Sequence, residues 1–435
     1  MLLSGVGRAH LEGHKELSNT KPVIEMEVPD TVWIPLVDGA ATDFEVLVQP
    51  GDHVEIGTMI ARRKGMDVPL YASVSGEVKG QVKKMHPTRR QQNHIEIIND
   101  HKDTSVKVLD IEDPEAMSPE DIVNAIRTLG VVGMGGSGFP TYIKYSNVKN
   151  IETIIINGVE CEPYITSDYM TMMTHARDLF DGAAFFMKAA GAPEAKIAIK
   201  TGHPELYDIL LEEAKNHDNI TPVLVPDVYP MGWERTLVKE ITGRDYDRLP
   251  AEAGCVVSNA MSAIALSQGI RTGMPVTERI VTVSGDGVKN PCNVKVRVGT
   301  PANLVIEASG GYIDDDVEGH VIAGGPMMGK SISRDDFVIS EYMNALTVLK
   351  HKEEHVTACM RCGECVLHCP MNLQPVRIMN AEQWGDAELL EKLAVMRCVE
   401  CGMCSYICPS KIEVTDFVQK GKRRVTLAQK RRAAK

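Results

Sequence analysis

The feature that most constrains this chain is a cysteine run that occurs twice near its C-terminal end. The first copy reads Cys359-Met-Arg-Cys362-Gly-Glu-Cys365-Val-Leu-His-Cys369-Pro370. The second reads Cys398-Val-Glu-Cys401-Gly-Met-Cys404-Ser-Tyr-Ile-Cys408-Pro409. Each is a complete C-x-x-C-x-x-C-x-x-x-C-P run, the spacing with which thiolates hold [4Fe–4S] cubanes in pairs. A cubane needs four thiolates arriving from different directions. The three closely spaced cysteines wrap one corner, and the fourth starts a helix that leads to the other cluster. The expected ligand sets are therefore crossed: Cys359, Cys362 and Cys365 with Cys408, and Cys398, Cys401 and Cys404 with Cys369. Structural zinc sites use pairs of C-x-x-C and give no reason for the doubled run with both prolines.

Of eleven cysteines only Cys161, Cys255 and Cys292 lie outside these runs. Such clustering in a reducing compartment points to metal ligands rather than disulfides. The 435 residues suffice for two to four domains, with the 43% hydrophobic and 24% charged content of an ordinary globular protein. A net charge of −12 and only 5% aromatics argue against a general nucleic-acid binder. No apolar run approaches the roughly 18–20 residues that span a bilayer. The N-terminal apolar stretch is too short for a secretory signal. A cytoplasmic protein, with any membrane association peripheral, is expected.

Five regions follow along the chain. Within a first domain spanning 1–110, residues 28–98 carry short valine- and isoleucine-rich strands broken by Gly51-Asp52, Gly57, Ser75-Gly76 and Gly80. Gly51-Asp-His-Val-Glu-Ile-Gly and Ala72-Ser-Val-Ser-Gly-Glu-Val resemble the barrel-sandwich hybrids of biotinyl and lipoyl carriers. Arg63-Lys64-Gly65-Met66 matches their modified hairpin poorly, so a structural module without a swinging arm is expected. Residues 111–275 alternate helix and strand. Ser118-Pro-Glu-Asp121 starts a capped helix, and Ile154–Asn157, Ile197–Ile199, Val223–Val225 and Cys255–Asn259 are strand candidates. This alternation predicts a parallel sheet covered on both faces. Residues 276–345 return to strands, as a small β-grasp-like module ending near Gly324-Gly-Pro-Met-Met-Gly329. There Met327 and Met328 could pack on the cysteine segment or simply in the core. Residues 346–416 carry the cysteines, and 417–435 form a basic C-terminal tail. From Gln419 to Lys435 there are eight Lys/Arg and no acid, which reads as a solvated tail or a contact for acidic lipid or an acidic partner.

A glycine-rich segment, Leu129-Gly-Val-Val-Gly133-Met-Gly135-Gly136-Ser-Gly138-Phe139-Pro140-Thr-Tyr-Ile-Lys144, lets backbone N–H groups approach a phosphate or a flat ring. Alone it is explained as well by a tight turn. Asn157-Gly-Val-Glu160-Cys161-Glu162-Pro163-Tyr164 follows an apolar strand, where open α/β sheets bind ligands; a capped helix start is the plainer reading. Tyr229-Pro-Met-Gly232-Trp-Glu234 and Ser258-Asn259-Ala-Met-Ser262 are two further junctions of this kind. Cys161 and the other isolated cysteines read as packing thiols, and His368 as a neighbour of the ligands or a solvent-facing group.

The glycine loop and the Asn-x-x-Glu-x-Glu-Pro element resemble the FMN- and NADH-binding flavoprotein subunit of respiratory complex I. The whole order is similar to the RnfC subunits of Rnf ion-translocating electron-transport complexes. It comprises a Gly-x-x-His-x-x-x-x-Lys-Glu-Leu-Ser start (Gly7 to Ser18), barrel-sandwich hybrid, parallel-sheet FMN/NADH domain, β-grasp (SLBB-like) domain and two-cluster ferredoxin domain. That resemblance implies FMN against Gly133, Gly135 and Gly136, with Lys144 near its phosphate. It implies Asn157 and Glu160 on the isoalloxazine or ribityl side, and Phe139 flanking an NADH pocket that Glu162 helps to form. Gly232, Glu234, Asn259 and Ser262 fall at further flavin contacts. The chain departs from the complex I pattern at Val159 and Trp233, where acidic residues stand.

The implied function is an NADH-linked iron–sulfur flavoprotein subunit, peripheral on the cytoplasmic side of the membrane, working with membrane-embedded and ferredoxin-like Rnf subunits. Hydride exchange between NADH and FMN would be joined to single-electron transfer through two [4Fe–4S] clusters, and no acid–base residue is named as catalytic. Two alternatives stand beside it: a stand-alone relative that reduces a soluble acceptor, and a non-enzymatic relay that has lost nucleotide binding.

Overall fold

The computed structural model describes residues 9–37, 41–314, 320–350 and 354–433; Gly7 of the opening motif and the last two residues lie outside them. The barrel-sandwich module pairs two sheets. Thr31–Pro35, Arg90–Asn99, Gly76–His86 and His53–Val54 make one, and Phe44–Val46, Met59–Arg63 and Pro69–Tyr71 the other. Alternate residues point inward, so Val32, Ile34, Ile60, Val74, Ile95 and Ile97 form the shared core. Met66 is exposed, and Lys64 sits 3.6 Å from Asp43.

The flavoprotein module is built on a four-stranded parallel sheet in the order Ile220–Val225, Glu194–Lys200, Thr153–Asn157, Cys255–Asn259. All four expected strands are present. The first three elements wind outward in one direction and Cys255–Asn259 returns to the other side of Thr153–Asn157, so the strand order reverses between these two. Asn157 and Asn259 are paired in register there, at the C-terminal ends of both strands. Such a reversal leaves a crevice where doubly wound sheets take ligands. The expected helix runs Pro119–Thr128, with Ser118 Oγ accepting from the Asp121 N–H and the Asp121 carboxylate accepting from the Ser118 N–H. Helices Ala176–Ala190 and Ala260–Thr272 approach closely at Gly182, where a Cβ would lie 2.0 Å from the Ala263 carbonyl oxygen.

The third module is a six-stranded sheet around Glu278–Ser284 and Cys292–Arg297, covered by Ala302–Ala308. Ile24–Glu25 joins its edge, parallel to the strand Cys292–Arg297. The two barrel sheets themselves begin at Thr31. Residues 9–19 instead strap the flavoprotein module, with Ala9 and Tyr229 exchanging backbone hydrogen bonds of 3.1 and 2.7 Å. Cys255 and Cys292 are core residues.

The cysteine module consists of short helices closed by Val414–Ala433. That helix corrects the expectation of a solvated basic tail. Its face bearing Val414, Val418, Gly421 and Val425 is buried, and Lys420, Lys422, Arg424 and Arg432 meet acids of the same module. Arg424 makes a bidentate pair with Glu382 at 2.7 and 2.8 Å, and Arg432 contacts Glu391 at 3.0 Å. Among the described residues no helix is long and apolar enough to cross a membrane.

Candidate functional site

The glycine loop closes on itself before it reaches the crevice. Gly133 N–H donates to the Phe139 carbonyl at 2.8 Å, and Gly138 N–H donates to the Gly133 carbonyl at 3.0 Å. Ser262 is buried beneath it, donating to the Val132 carbonyl at 2.7 Å and accepting from the Met134 N–H at 3.2 Å. Ser262 thus holds the loop rather than facing a ligand. The tip, Gly135 to Ser137, is exposed. Gly136 has φ +96°, and a Cβ there would meet nothing within 4 Å. At Gly135 a Cβ would lie 2.8 Å from Asn259 Nδ2. A side chain is excluded at Gly135 by contact and disfavoured at Gly136 by backbone angle.

Of the expected polar residues Asn259 stands against this tip, and Asn157 is paired with Asn259 in register. Asn259 caps the helix after its strand by accepting from the Met261 N–H at 2.9 Å, and donates to Asp168 Oδ2 at 2.9 Å. Asn157 donates to the Gly232 carbonyl at 2.7 Å. Lys144 donates to the Val257 carbonyl at 2.8 Å, with Glu234 3.5 Å away. Phe139 is partly exposed at the loop's end. The other Asp168 oxygen, Oδ1, is buried with no hydrogen-bond partner, and burial raises this carboxyl's pKa. An exposed glycine tip, open space at Gly136 and an orphaned acceptor at the strand-order reversal fit a flat, polar-edged ligand such as FMN.

The two glutamates have structural partners. Glu160 is buried, accepts from the Asp168 N–H at 2.8 Å and lies 3.8 Å from Lys15 Nζ. Burial pushes Glu160 up and Lys15 down, while each pulls the other back toward its charged form. Glu162 accepts from the Met327 and Met328 N–H groups at 2.6 and 2.9 Å. Its carboxylate therefore clasps the β-grasp turn. Val159 is fully buried, and Trp233 packs against the core that contains Cys369 and Cys401. Burial pushes the Cys161 thiol up to about 11.

The cysteines come together as two crossed quartets. Cys365 is raised by burial first, and its acting thiol neighbours are Cys362, Cys359 and Cys408. Cys404 is pushed to about 12 by burial first, with Cys398, Cys401 and Cys369 as its thiol neighbours. The second quartet lines an apolar cavity with Ile378, Met403 and Val418. Among the described residues no three His, Cys, Asp or Glu converge as around a single ion; a cubane spreads its thiolates over a larger body than one ion. His368 bonds the Glu364 carbonyl at 3.0 Å, away from any ligand role.

The second quartet also carries the joint between modules. Tyr229, fully buried, donates its hydroxyl to the Cys401 carbonyl at 2.6 Å. Cys161, Trp233 and Met327 pack into the core that contains Cys369 and Cys401. A Cβ at Gly402 would lie 2.5 Å from the Met327 carbonyl oxygen, so glycine is needed for this approach. From sequence, Lys15 and Tyr229 read only as members of motifs, with no role of their own, and Asp168 is not singled out. Only their company in recognisable segments, Gly7–Ser18, Asn157–Asp168 and Tyr229–Glu234, could have drawn attention to them.

Comparison with known proteins agrees with this architecture module by module. Family models match for an RnfC barrel-sandwich hybrid domain (residues 4–102), a Nuo51 FMN-binding domain (126–268), an SLBB domain (280–331) and a 4Fe-4S dicluster domain (358–412). The chain is 33% identical to the C subunit of the proton-translocating ferredoxin:NAD(+) oxidoreductase complex of Clostridium ljungdahlii, over 86% of this chain and 83% of that one. The chain belongs to the RnfC family. Within it, the C subunit of the ion-translocating oxidoreductase complex of Rhodobacter capsulatus is 33% identical, over 90% of this chain and 77% of that one. The C subunit of the Na(+)-translocating ferredoxin:NAD(+) oxidoreductase complex of Acetobacterium woodii is 31% identical over 87% of each chain. Among solved structures, an NAD+-reducing [NiFe]-hydrogenase shares the fold with TM-score 0.52 at 19% identity, covering 72% of this chain and 62% of that one. As an RnfC-family chain with FMN-binding and dicluster domains, the protein is an iron–sulfur flavoprotein.

Proposed function

We propose that the chain exchanges electrons between NAD(H), FMN and two [4Fe–4S] clusters as the peripheral, cytoplasmic-side RnfC subunit of a membrane-bound, ion-translocating ferredoxin:NAD oxidoreductase. Its partners are the membrane-embedded and ferredoxin-like subunits of that complex. The observation that carries this reading is the joint at Tyr229 and Cys401, because it sets the flavoprotein module directly on one cysteine quartet.

Bound FMN supplies the conversion between hydride and single-electron chemistry. The protein supplies the setting. The exposed tip at Gly135 and Gly136, flanked by Lys144, Asn157, Gly232, Glu234 and Asn259, receives the cofactor at the sheet's ligand-binding end, with Phe139 at the nucleotide side. Cys369, Cys398, Cys401 and Cys404 hold the cluster nearer to it. Cys359, Cys362, Cys365 and Cys408 hold the outer one. Oxidation of one NADH releases two electrons and one proton, and the two electrons match one for each cluster. The domain limits that serve this reading are 26–110, 111–275, 276–350 and 354–433, with residues 9–25 as a strap. The match over most of the length of multi-subunit complex members favours this role over a stand-alone reductase.

Anaerobic titration of the full-length, cofactor-loaded protein with NADH, followed by optical and EPR spectroscopy, tests the reading. Flavin bleaching with the appearance of two interacting reduced-cluster signals is expected. Cluster spectra without any response to NADH would reject it.

A further inference from the structure

The strap is the motif that the electron path leaves unused. Lys15 is 8% exposed, yet its ammonium is held by three backbone carbonyls, those of Glu160 at 2.8 Å, Glu162 at 2.9 Å and Ile165. All three donors of a lysine are thereby matched to one loop. The loop needs holding, because Glu160 and Tyr164 both adopt positive φ, +41° and +68°, without being glycine. Around Lys15 the strap grips the same loop twice more: Tyr164 N–H donates to the Gly13 carbonyl at 2.7 Å, and Ser18 Oγ meets Thr166 Oγ1 at 2.8 Å.

We infer that Lys15 is a positioning residue whose ammonium, by pinning residues 160–165, sets the flavin side and the cluster side of the molecule against each other. One arm of the loop is the Glu160 carboxylate, which receives the Asp168 N–H at the start of Ser167–Thr174; Asp168 then receives Asn259, the residue pressed against Gly135. The other arm is Glu162, which clasps Met327 and Met328, and the Met327 carbonyl abuts Gly402 beside Cys401. Both arms leave a short stretch whose carbonyls converge on one cation. Losing that cation leaves three carbonyls unpaired and frees both arms together. The consequence for electron passage rests on the function proposed above, whereas the geometry does not.

The test uses full-length protein loaded with FMN and both clusters, comparing wild type with Lys15→Met by hydrogen-exchange mass spectrometry and by stopped-flow flavin-to-cluster transfer. Segments 158–170 and 324–330 should each exchange at least about tenfold faster, as expected for the loss of one charged hydrogen bond. The barrel module and Val414–Ala433 should stay unchanged, iron content should be retained, and transfer should slow by a similar factor. Wild-type exchange in either segment, or faster exchange everywhere alike, overturns the inference. Lys15→Arg keeps the charge but presents a planar fork to three converging carbonyls. Full recovery with arginine would show that charge alone matters and would also overturn it. If Lys15→Met does not fold, Glu162→Gln weakens the cluster-side arm alone. Slower transfer with unchanged FMN affinity is then expected, and unchanged transfer refutes the linkage. If NADH reduces no cofactor in the wild type, the proposed function fails, while the exchange result still decides the role of Lys15.

Discussion

Cys362 and Cys401 hold the same second place in two identical spacing patterns, and their surroundings differ in almost every respect. Cys401 is buried, accepts the Tyr229 hydroxyl at its carbonyl and sits in one core with Trp233, Cys161 and Met327. Cys362 is exposed, in a segment where Val356, Met360 and Leu367 are exposed as well. The Cys401 quartet also has protein donors aimed at its sulfurs: Leu373 N–H at 3.3 Å from Cys369 and Glu400 N–H at 3.3 Å from Cys398. A repeated motif therefore yields one inward and one outward site. The tertiary contacts, and not the ligand spacing, give the relay a direction in space.

The largest effect should come from removing one ligand of each quartet in turn. Cys401→Ala should abolish NADH-driven reduction of both clusters while leaving flavin bleaching in place. Cys362→Ala should leave one cluster reducible by NADH and abolish delivery to an external one-electron acceptor protein. EPR of the NADH-reduced variants reads both outcomes. Reduction of one cluster in Cys401→Ala, or of none in Cys362→Ala, would invert the inner and outer assignment.

A weaker separation is expected from cofactor loss. Limited oxidation in the presence of an iron chelator attacks solvent-accessible clusters first, because access governs the reaction. The outer cluster's signal should disappear ahead of the inner one. In cluster-free protein, mass-spectrometric mapping of alkylation should find Cys362 modified before Cys369 and Cys401, both buried. Simultaneous loss of the two signals, with even labelling, would remove the contrast.

Much of this contrast lies beyond what the sequence could carry, for a physical reason. Local signals were readable. The Ser118–Asp121 cap, the four parallel strands and the glycine loop depend on neighbours a few residues apart, and the crossed quartets follow from spacing. What escaped were pairings over long separations. Lys15 meets carbonyls some 145 to 150 residues away, and Glu162 meets amides 165 and 166 residues away. The basic C-terminal run reads as a tail until Glu382, Glu391 and Glu400 are seen against it. Ile24–Glu25 pairs with Val294 and Lys295, some 270 residues away. Asn157 and Asn259 were correctly expected at strand ends, but their register, side by side at the reversal of strand order, exists only in the folded sheet.

The smallest predicted effect isolates electrostatics from contact. Lys422 donates to the Cys398 carbonyl at 2.9 Å and pairs with Glu400, so a cation stands beside the inner quartet and none of its bonds reaches the outer one. Cys398 already registers this charge: its thiol is raised by burial, and Lys422 is among the groups that lower it again. A nearby cation stabilises the more negative, reduced state of a cluster. Lys422→Met removes that stabilisation and leaves Glu400 unopposed, so the inner cluster should become harder to reduce. With an effective dielectric near that of partly exposed sites, the change is on the order of 1 kcal/mol, or tens of millivolts for a one-electron couple. Glu400→Gln should shift the same potential in the opposite direction, since it removes the anion and keeps the cation. Redox titration monitored by EPR should show both shifts on one signal, with the other signal fixed within error. Equal shifts on both signals would mean that the two quartets share a single electrostatic environment despite their different contacts.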